Sequence, residues 1–335
     1  MKRIQMAHGG GGRLMQQLLR EHVAAVFGEP VMHHDGAVLV GAMADGELVM
    51  TTDASVVTPL FFPGGDLGKL AVYGAVNDLA VTGARPVALS LALVLEEGLP
   101  LETLDRLLAS VKAAADEVGV SVVTGDTKVV ERGGCDRIYA ATTGIGRRLP
   151  GVRIDARRVR EGDRVLLSGD IGRHGVAVLS AREGLSFGGA VESDCAPLWG
   201  PALDLLTAVP SAPFLRDCTR GGVAAVLHEL ARAAGVSVSV EEASVPVSEP
   251  VRGACAILGL DPMSLACEGR FLAVVPPAHV DAALAALSEH SQCPGAAVVG
   301  TIGAADPGGA VWLTTAFGQE RPLDYPSGEH LPRIC

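Results

Sequence analysis

The chain alternates between two spacings of apolar residues. Over residues 14–27 apolar side chains fall at 14, 15, 18, 19, 23 and 26, which predicts a helix with one buried face. Residues 48–52 read as a strand with Thr51, Thr52 and Asp53 at its carboxyl end. From Asp66 the pattern is helical again, with Leu67, Leu70, Ala71, Ala75 and Leu79 toward a core. Residues 87–95 form a near-continuous apolar strand, 101–118 an amphipathic helix opened by Glu102 and Asp105, and 121–124 a further strand running into a turn. A strand at 138–146 closes the first half, and residues 151–162 read as the crossing to a second domain. There the same alternation resumes. Strands are expected at 164–168 and 214–217 and helices at 174–182, 197–209 and 223–234, with the pattern continuing through 236–240, 251–258, 271–275, 280–287, 297–302 and 311–314. The result is an α/β reading with domains at 1–150 and 151–317 and a tail at 318–335, in which Pro322, Pro326 and Pro332 oppose helix and central sheet and favour an extended, mobile arm.

Composition narrows this picture in three ways. At 335 residues, 48% hydrophobic and 19% charged, the chain can bury two full cores. Seven cysteines (135, 195, 218, 255, 267, 293 and 335) contain no C-x-x-C pair, so reduced thiols in a cytoplasmic protein are expected rather than a disulfide framework or a zinc site. The first thirteen residues lack a secretory pattern and no apolar run reaches about eighteen residues, so neither export nor membrane spanning is expected. The net charge of −11 speaks against a nucleic-acid partner.

Candidate chemistry sits where strands and glycine runs meet helices. Gly9, Gly10, Gly11 and Gly12 precede the first helix, an arrangement that converges backbone N–H groups on an anion but also suits a plain linker. Asp53 can hold a divalent cation together with phosphate oxygens, or form a turn. Gly64, Gly65, Gly68 and Lys69 imitate a P-loop, but Pro63 and Leu70 break its spacing. Asn77 and Asp78 place an amide and a carboxylate near a helix end. Gly125, Asp126, Thr127 and Lys128 offer N–H groups, a carboxylate, a hydroxyl and one of only four lysines within four residues, which suits a polyphosphate. Asp217, Thr219 and Arg220, followed by two glycines at a helix start, suit phosphate and metal or a helix cap. Glu268 beside Met263, Leu265 and Ala266 is either a carboxyl with raised pKa, and so a general base, or an exposed turn residue. Cys335 ends the chain as a nucleophile that the arm could carry.

This ordered set, from the glycine run through 51–55, 61–70, 77–78, 125–130, 217–222 and 268–269 to Pro332-Arg333-Ile334-Cys335, resembles the HypE family of hydrogenase maturation proteins over essentially the whole chain. That family belongs to the PurM/AIR synthetase-like superfamily. The resemblance implies a PurM-like architecture, a homodimer formed through the N-terminal sheets, and ATP with Mg²⁺ in a cleft there. It implies an ATP-dependent carbamoyl dehydratase: Cys335 receives a carbamoyl group from HypF, ATP drives its dehydration to a thiocyanate, and cyanide passes to a HypC–HypD complex. By motif, Glu268 and Lys128 serve deprotonation or hold the carbamoyl oxygen or γ-phosphate. Asp53, Asp78 and Asp126 are the implied Mg²⁺ ligands, Asp217 a weaker one, and Lys69, Asn77, Thr127 and the glycines surround the nucleotide. The competing readings are a synthetase acting on a free small molecule, which has no use for a terminal thiol, and a non-catalytic scaffold, which has no use for the aspartates.

Overall fold

The computed structural model describes residues 10, 12–27, 36–43, 46–185 and 191–327. The N-terminal helix is broken by a π turn, running α1 (Gly12–Leu18), the turn Leu19–Val23 and α2 (Ala24–Phe27). Next come β1 (Ala37–Met43), β2 (Gly46–Ser55), the short hairpin β3 (Phe61–Phe62) and β4 (Gly65–Asp66), α3 (Leu67–Val81), β5 (Ala84–Glu96), α4 (Leu101–Val118), β6 (Ser121–Val130) and β7 (Ile138–Arg148). Five of these strands form a sheet in the order β1-β2-β7-β5-β6. Asp66 starts α3 because its carboxylate accepts from the backbone N–H of Gly68 and Lys69, satisfying donors that a helix start otherwise leaves open. The glycines of the false P-loop therefore shape a tight turn into a capped helix.

Helices α3 and α4 cover one face of this sheet. Leu89, Leu91, Leu93 and Leu95 of β5 point into that core, while the intervening residues remain partly exposed on the opposite face. The 87–95 run is thus alternately buried rather than buried throughout. Its open face carries Met50 and Ile145, paired across β2 and β7 and 41% and 40% exposed.

The second domain contains β8 (Arg164–Leu167), α5 (Arg173–Glu183), α6 (Trp199–Ala208), β9 (Phe214–Asp217), α7 (Gly222–Ala234), β10 (Val236–Glu241), α8 (Glu249–Leu258), β11 (Phe271–Val275), α9 (Val280–Ser288), β12 (Ala297–Ala305), β13 (Val311–Thr314) and β14 (Glu320–Pro322). Its seven strands are ordered β14-β13-β10-β12-β8-β11-β9. The β11 strand is buried along its whole length between β8 and β9. Pro322 is tolerated because β14 is an edge strand. Beyond it Leu323 is buried, Tyr325 stacks on His228 at 4.7 Å, and the Pro326 carbonyl accepts from the N–H of Arg13 at 2.8 Å. The proline-rich arm is therefore packed against α7 and the start of α1 up to this point. No helix among the described residues is long and apolar enough to cross a membrane.

Candidate active site

Strand β2 and helix α3 build one wall of a cleft of about 220 Å³ between the two domains. Asp53 lies on the helix-covered face of the sheet, inside β2 rather than at its end. It fits there only because position 74 is glycine: a Cβ at Gly74 would stand 2.4 Å from Asp53 Oδ2. One turn further along α3, Asp78 also lines the cleft, and its Oδ2 accepts from Thr51 Oγ1 at 2.5 Å. The opposite wall comes from the second domain, where Asp217 at the end of β9 and Thr219 and Arg220 before α7 face the same space. The N-terminus of α7 adds its partial positive charge. Gly12, Met15 and Gln16 of the first helix close the cleft from above.

Glu268 reaches this cleft from within the protein. It is 7% exposed, and its Oε1 is buried with no hydrogen-bond partner. Burial drives its carboxyl well above the ordinary range, the charges of Asp53, Asp217 and Asp194 push the same way, and Arg220 opposes them. The backbone around it is tied down on both sides. Asp194 Oδ1 accepts from the Glu268 N–H at 3.3 Å, and Asn77 donates to the carbonyls of Ala196 and Glu268 while accepting from the Leu198 N–H at 2.7 Å. Two residues further on, buried Arg270 pairs with Asp170 at 2.7 Å and donates to the carbonyls of Gly269 and Gln292.

The structure brings Asp53, Asp78, Asp217, Arg220, Glu268 and Gly12 to one cleft. Gly10 is described but is not part of the cleft lining, and Gly9, Gly11 and Cys335 lie outside the described residues. Asn77 differs from its expected role as a nucleotide contact: it is 2% exposed and spends its amide on backbone groups that position the Glu268 loop. Lys69, one turn into α3, is half-buried and outside the cleft lining. The largest difference concerns Asp126, Thr127 and Lys128. The expected turn is the middle of a ten-residue strand exposed along nearly its whole length. Asp126 lies opposite Ala92, on the open face, whereas Asp53 lies on the helix face and three strand spacings, about 14 Å, away. Within one chain it cannot share a cation with Asp53.

A divalent ion can be held by Asp53 and Asp78 with phosphate oxygens completing its shell, consistent with the orphaned oxygen and crowded negative charge facing them. No preassembled group of three metal-binding side chains exists among the described residues. Sequence reading missed Gln16, Arg216 and Glu229, which also line the cleft. Gln16 donates to Glu229 at 2.8 Å and Arg216 pairs with it at 3.2 Å. Gln16 and Glu229 are 213 residues apart, and no local pattern marks such a pair.

Fold and site together define a two-domain AIR synthase related protein: residues 33–148 match that family's N-terminal domain and 160–312 its C-terminal domain. Carbamoyl dehydratase HypE of Azotobacter vinelandii is 47% identical over 99% of this chain and 97% of its own length. A crystal structure of hydrogenase maturation protein HypE in complex with ATP aligns with a TM-score of 0.83 and 43% identity, covering 99% of this chain and 100% of the other. A HypE–HypF complex aligns with a TM-score of 0.86 and 41% identity over 92% of this chain and 99% of that one. The chain belongs to the HypE family, the carbamoyl dehydratases of hydrogenase maturation.

Proposed function

We propose that this protein uses ATP and Mg²⁺ to dehydrate a carbamoyl group carried on the Cys335 thiol, giving a thiocyanate, ADP and phosphate. The observation that carries this reading is the buried Glu268 side chain, its Oε1 without a hydrogen-bond partner, in the same cleft as Asp53 and Asp78. An amide oxygen is a poor leaving group, and transferring the γ-phosphoryl to it lets phosphate depart as the carbon–nitrogen triple bond forms. The amide nitrogen must also lose its protons. Glu268, when ionised, is a strong base because its surroundings disfavour its charge, and it accepts an amide proton as the oxygen is phosphorylated. Asn77, Asp194 and Arg270 fix the loop that aims it. Mg²⁺ bound by Asp53 and Asp78 would supply the charge neutralisation that a triphosphate among carboxylates requires.

The HypE–HypF complex supports HypF as the source of the carbamoyl group, and we assign the cyanide to a HypC–HypD acceptor. We further propose a cytoplasmic homodimer. The open sheet face, with Met50 and Ile145, and the exposed β6 edge need a cover. Two such sheets packed face to face bury this surface, and β6 laid beside another copy's β1 carries Asp126, Thr127 and Lys128 toward β2.

Intact-mass spectrometry after incubation with HypF, carbamoyl phosphate and ATP tests the reading. A carbamoyl adduct on the C-terminal peptide that loses one water only with ATP and Mg²⁺ is expected. ATP hydrolysis without any adduct would move the substrate off the protein and onto a free molecule.

A further inference from the structure

A second, larger cleft of about 540 Å³ opens behind α1, between the segment that crosses to the second domain and helix α7. Its lining is unusual for a chain with a net charge of −11: Arg20, Arg148, Arg153, Arg157, Arg216 and Arg232 converge on it. Carboxylates answer half of them. Arg157 is bound by Asp155 at 2.8 Å, Arg148 by Glu47 at 2.9 Å and Arg216 by Glu229 at 3.2 Å. Arg20 and Arg153 have no carboxylate partner among the described residues, and Arg232 only overlies the Tyr325 ring at 4.9 Å. Three guanidinium charges are thus left over in one concave space. Two buried polar atoms of the same wall, Arg148 Nε and Tyr325 Oη, also lack a hydrogen-bond partner. Unanswered donors and positive charge around a cavity of small-molecule size are what a multiply charged oxyanion satisfies.

We propose that this arginine-lined cleft is a second anion site, separate from the reaction cleft, that binds a phosphate-bearing small molecule. An arginine fork matches phosphate oxygens in pairs, which favours phosphate over a spherical anion. The two clefts share Gln16, Arg216 and Glu229 as a common wall. An anion that draws Arg216 away from Glu229 alters the hydrogen bond by which Glu229 holds Gln16 over the reaction cleft. Occupancy of one cleft is therefore felt in the other.

Two sources share this chemistry, free phosphate released by ATP cleavage and the polyphosphate tail of a nucleotide. Titration calorimetry of the full chain, preincubated with saturating Mg²⁺ and a non-hydrolysable ATP analogue, separates them with inorganic phosphate in one arm and pyrophosphate in the other. Binding of one equivalent per chain in either arm, weakened at least tenfold in R20Q/R153Q, is the expected result, and the arm that binds more tightly names the source. The double variant should keep its melting temperature and its affinity for the analogue, since neither arginine lines the reaction cleft. No heat in either arm, or binding that the double variant leaves unchanged, overturns the proposal. Binding seen only after residues 328–335 are removed overturns it too, because the cleft would then belong to the chain's own last residues. If the analogue itself fails to bind, the reading of the reaction cleft fails, while the dependence of anion binding on Arg20 and Arg153 still decides this one.

Discussion

At the scale of single residues, the site depends on what its neighbours deny or permit. Glu268 Oε1 is buried away from water and from any hydrogen-bond donor, and negative neighbours surround the carboxyl. The E268Q variant keeps the shape but cannot take a proton, so it should still accept a carbamoyl group while forming thiocyanate at least about a hundredfold more slowly. Intact-mass time courses with HypF and ATP read both steps; unimpaired thiocyanate formation would remove Glu268 from the chemistry. Gly74 is the converse case, permitting Asp53 to lie against α3. In G74A the new Cβ meets Asp53 Oδ2 at 2.4 Å, and the carboxylate must turn away. Nucleotide binding in the presence of Mg²⁺ should weaken by about tenfold to a hundredfold, the range seen when a group that orients a metal ligand is lost. Gly253, on α8 with open space where its Cβ would stand, is the control: G253A should stabilise the fold by about 0.5–1 kcal/mol and leave binding intact.

At the scale of elements, two devices hold the domains and the C-terminal segment around the cleft. Helix α3 is buried almost throughout, and Asn77 on it bridges to the second domain by donating to two carbonyls and accepting from one N–H. The N77A variant strands these buried groups and should cost about 2–3 kcal/mol, read as a lower thermal midpoint, together with slower turnover because the Glu268 loop loses its tether. The second device is the stack of His228 on Tyr325, with His228 Nε2–H donating to the Leu323 carbonyl at 3.0 Å. Burial lowers the His228 pKa, outweighing the hydrogen bond to Leu323, so the folded state favours the neutral ring. Unfolded protein then binds the proton more readily, and stability rises with pH up to the unfolded value near 6.5. This contribution is present above that pH and is lost as pH falls through the lower folded pKa. Proteolytic release of the C-terminal segment should accelerate between pH 7.5 and 5.5 in the wild type and respond much less to pH in H228N.

At the scale of the whole molecule, the open sheet face and the β6 edge are the surfaces that one chain leaves unfinished. A charge placed there by I145E should convert the proposed dimer to monomer in light scattering and, if Asp126 and Lys128 act across the interface, reduce ATP turnover in parallel. A dimer that persists unchanged would place the contact elsewhere. Much of the architecture could be read along the chain because helical and strand spacings are local: α3, α4, β9 and β11 fall at or within a few residues of their predicted places. The acidic cluster was legible too, since Asp53, Asp78, Asp217 and Glu268 stand in motifs that announce themselves by residue type. Other features were not local. Whether Gly125 to Lys128 formed a turn or a strand depended on pairing with β5, and the side of the sheet that Asp126 took depended on that register. Asn77 became a bridge because of a loop some 120 residues away, and Gln16 met Glu229 across most of the chain. The sequence by itself determined the local helix and strand spacings, the chemical inventory and the family. Tertiary structure alone decided which carboxylates share a cleft, how far burial raises Glu268, and where six arginines gather, because side-chain environment is set by contacts between residues distant in the chain.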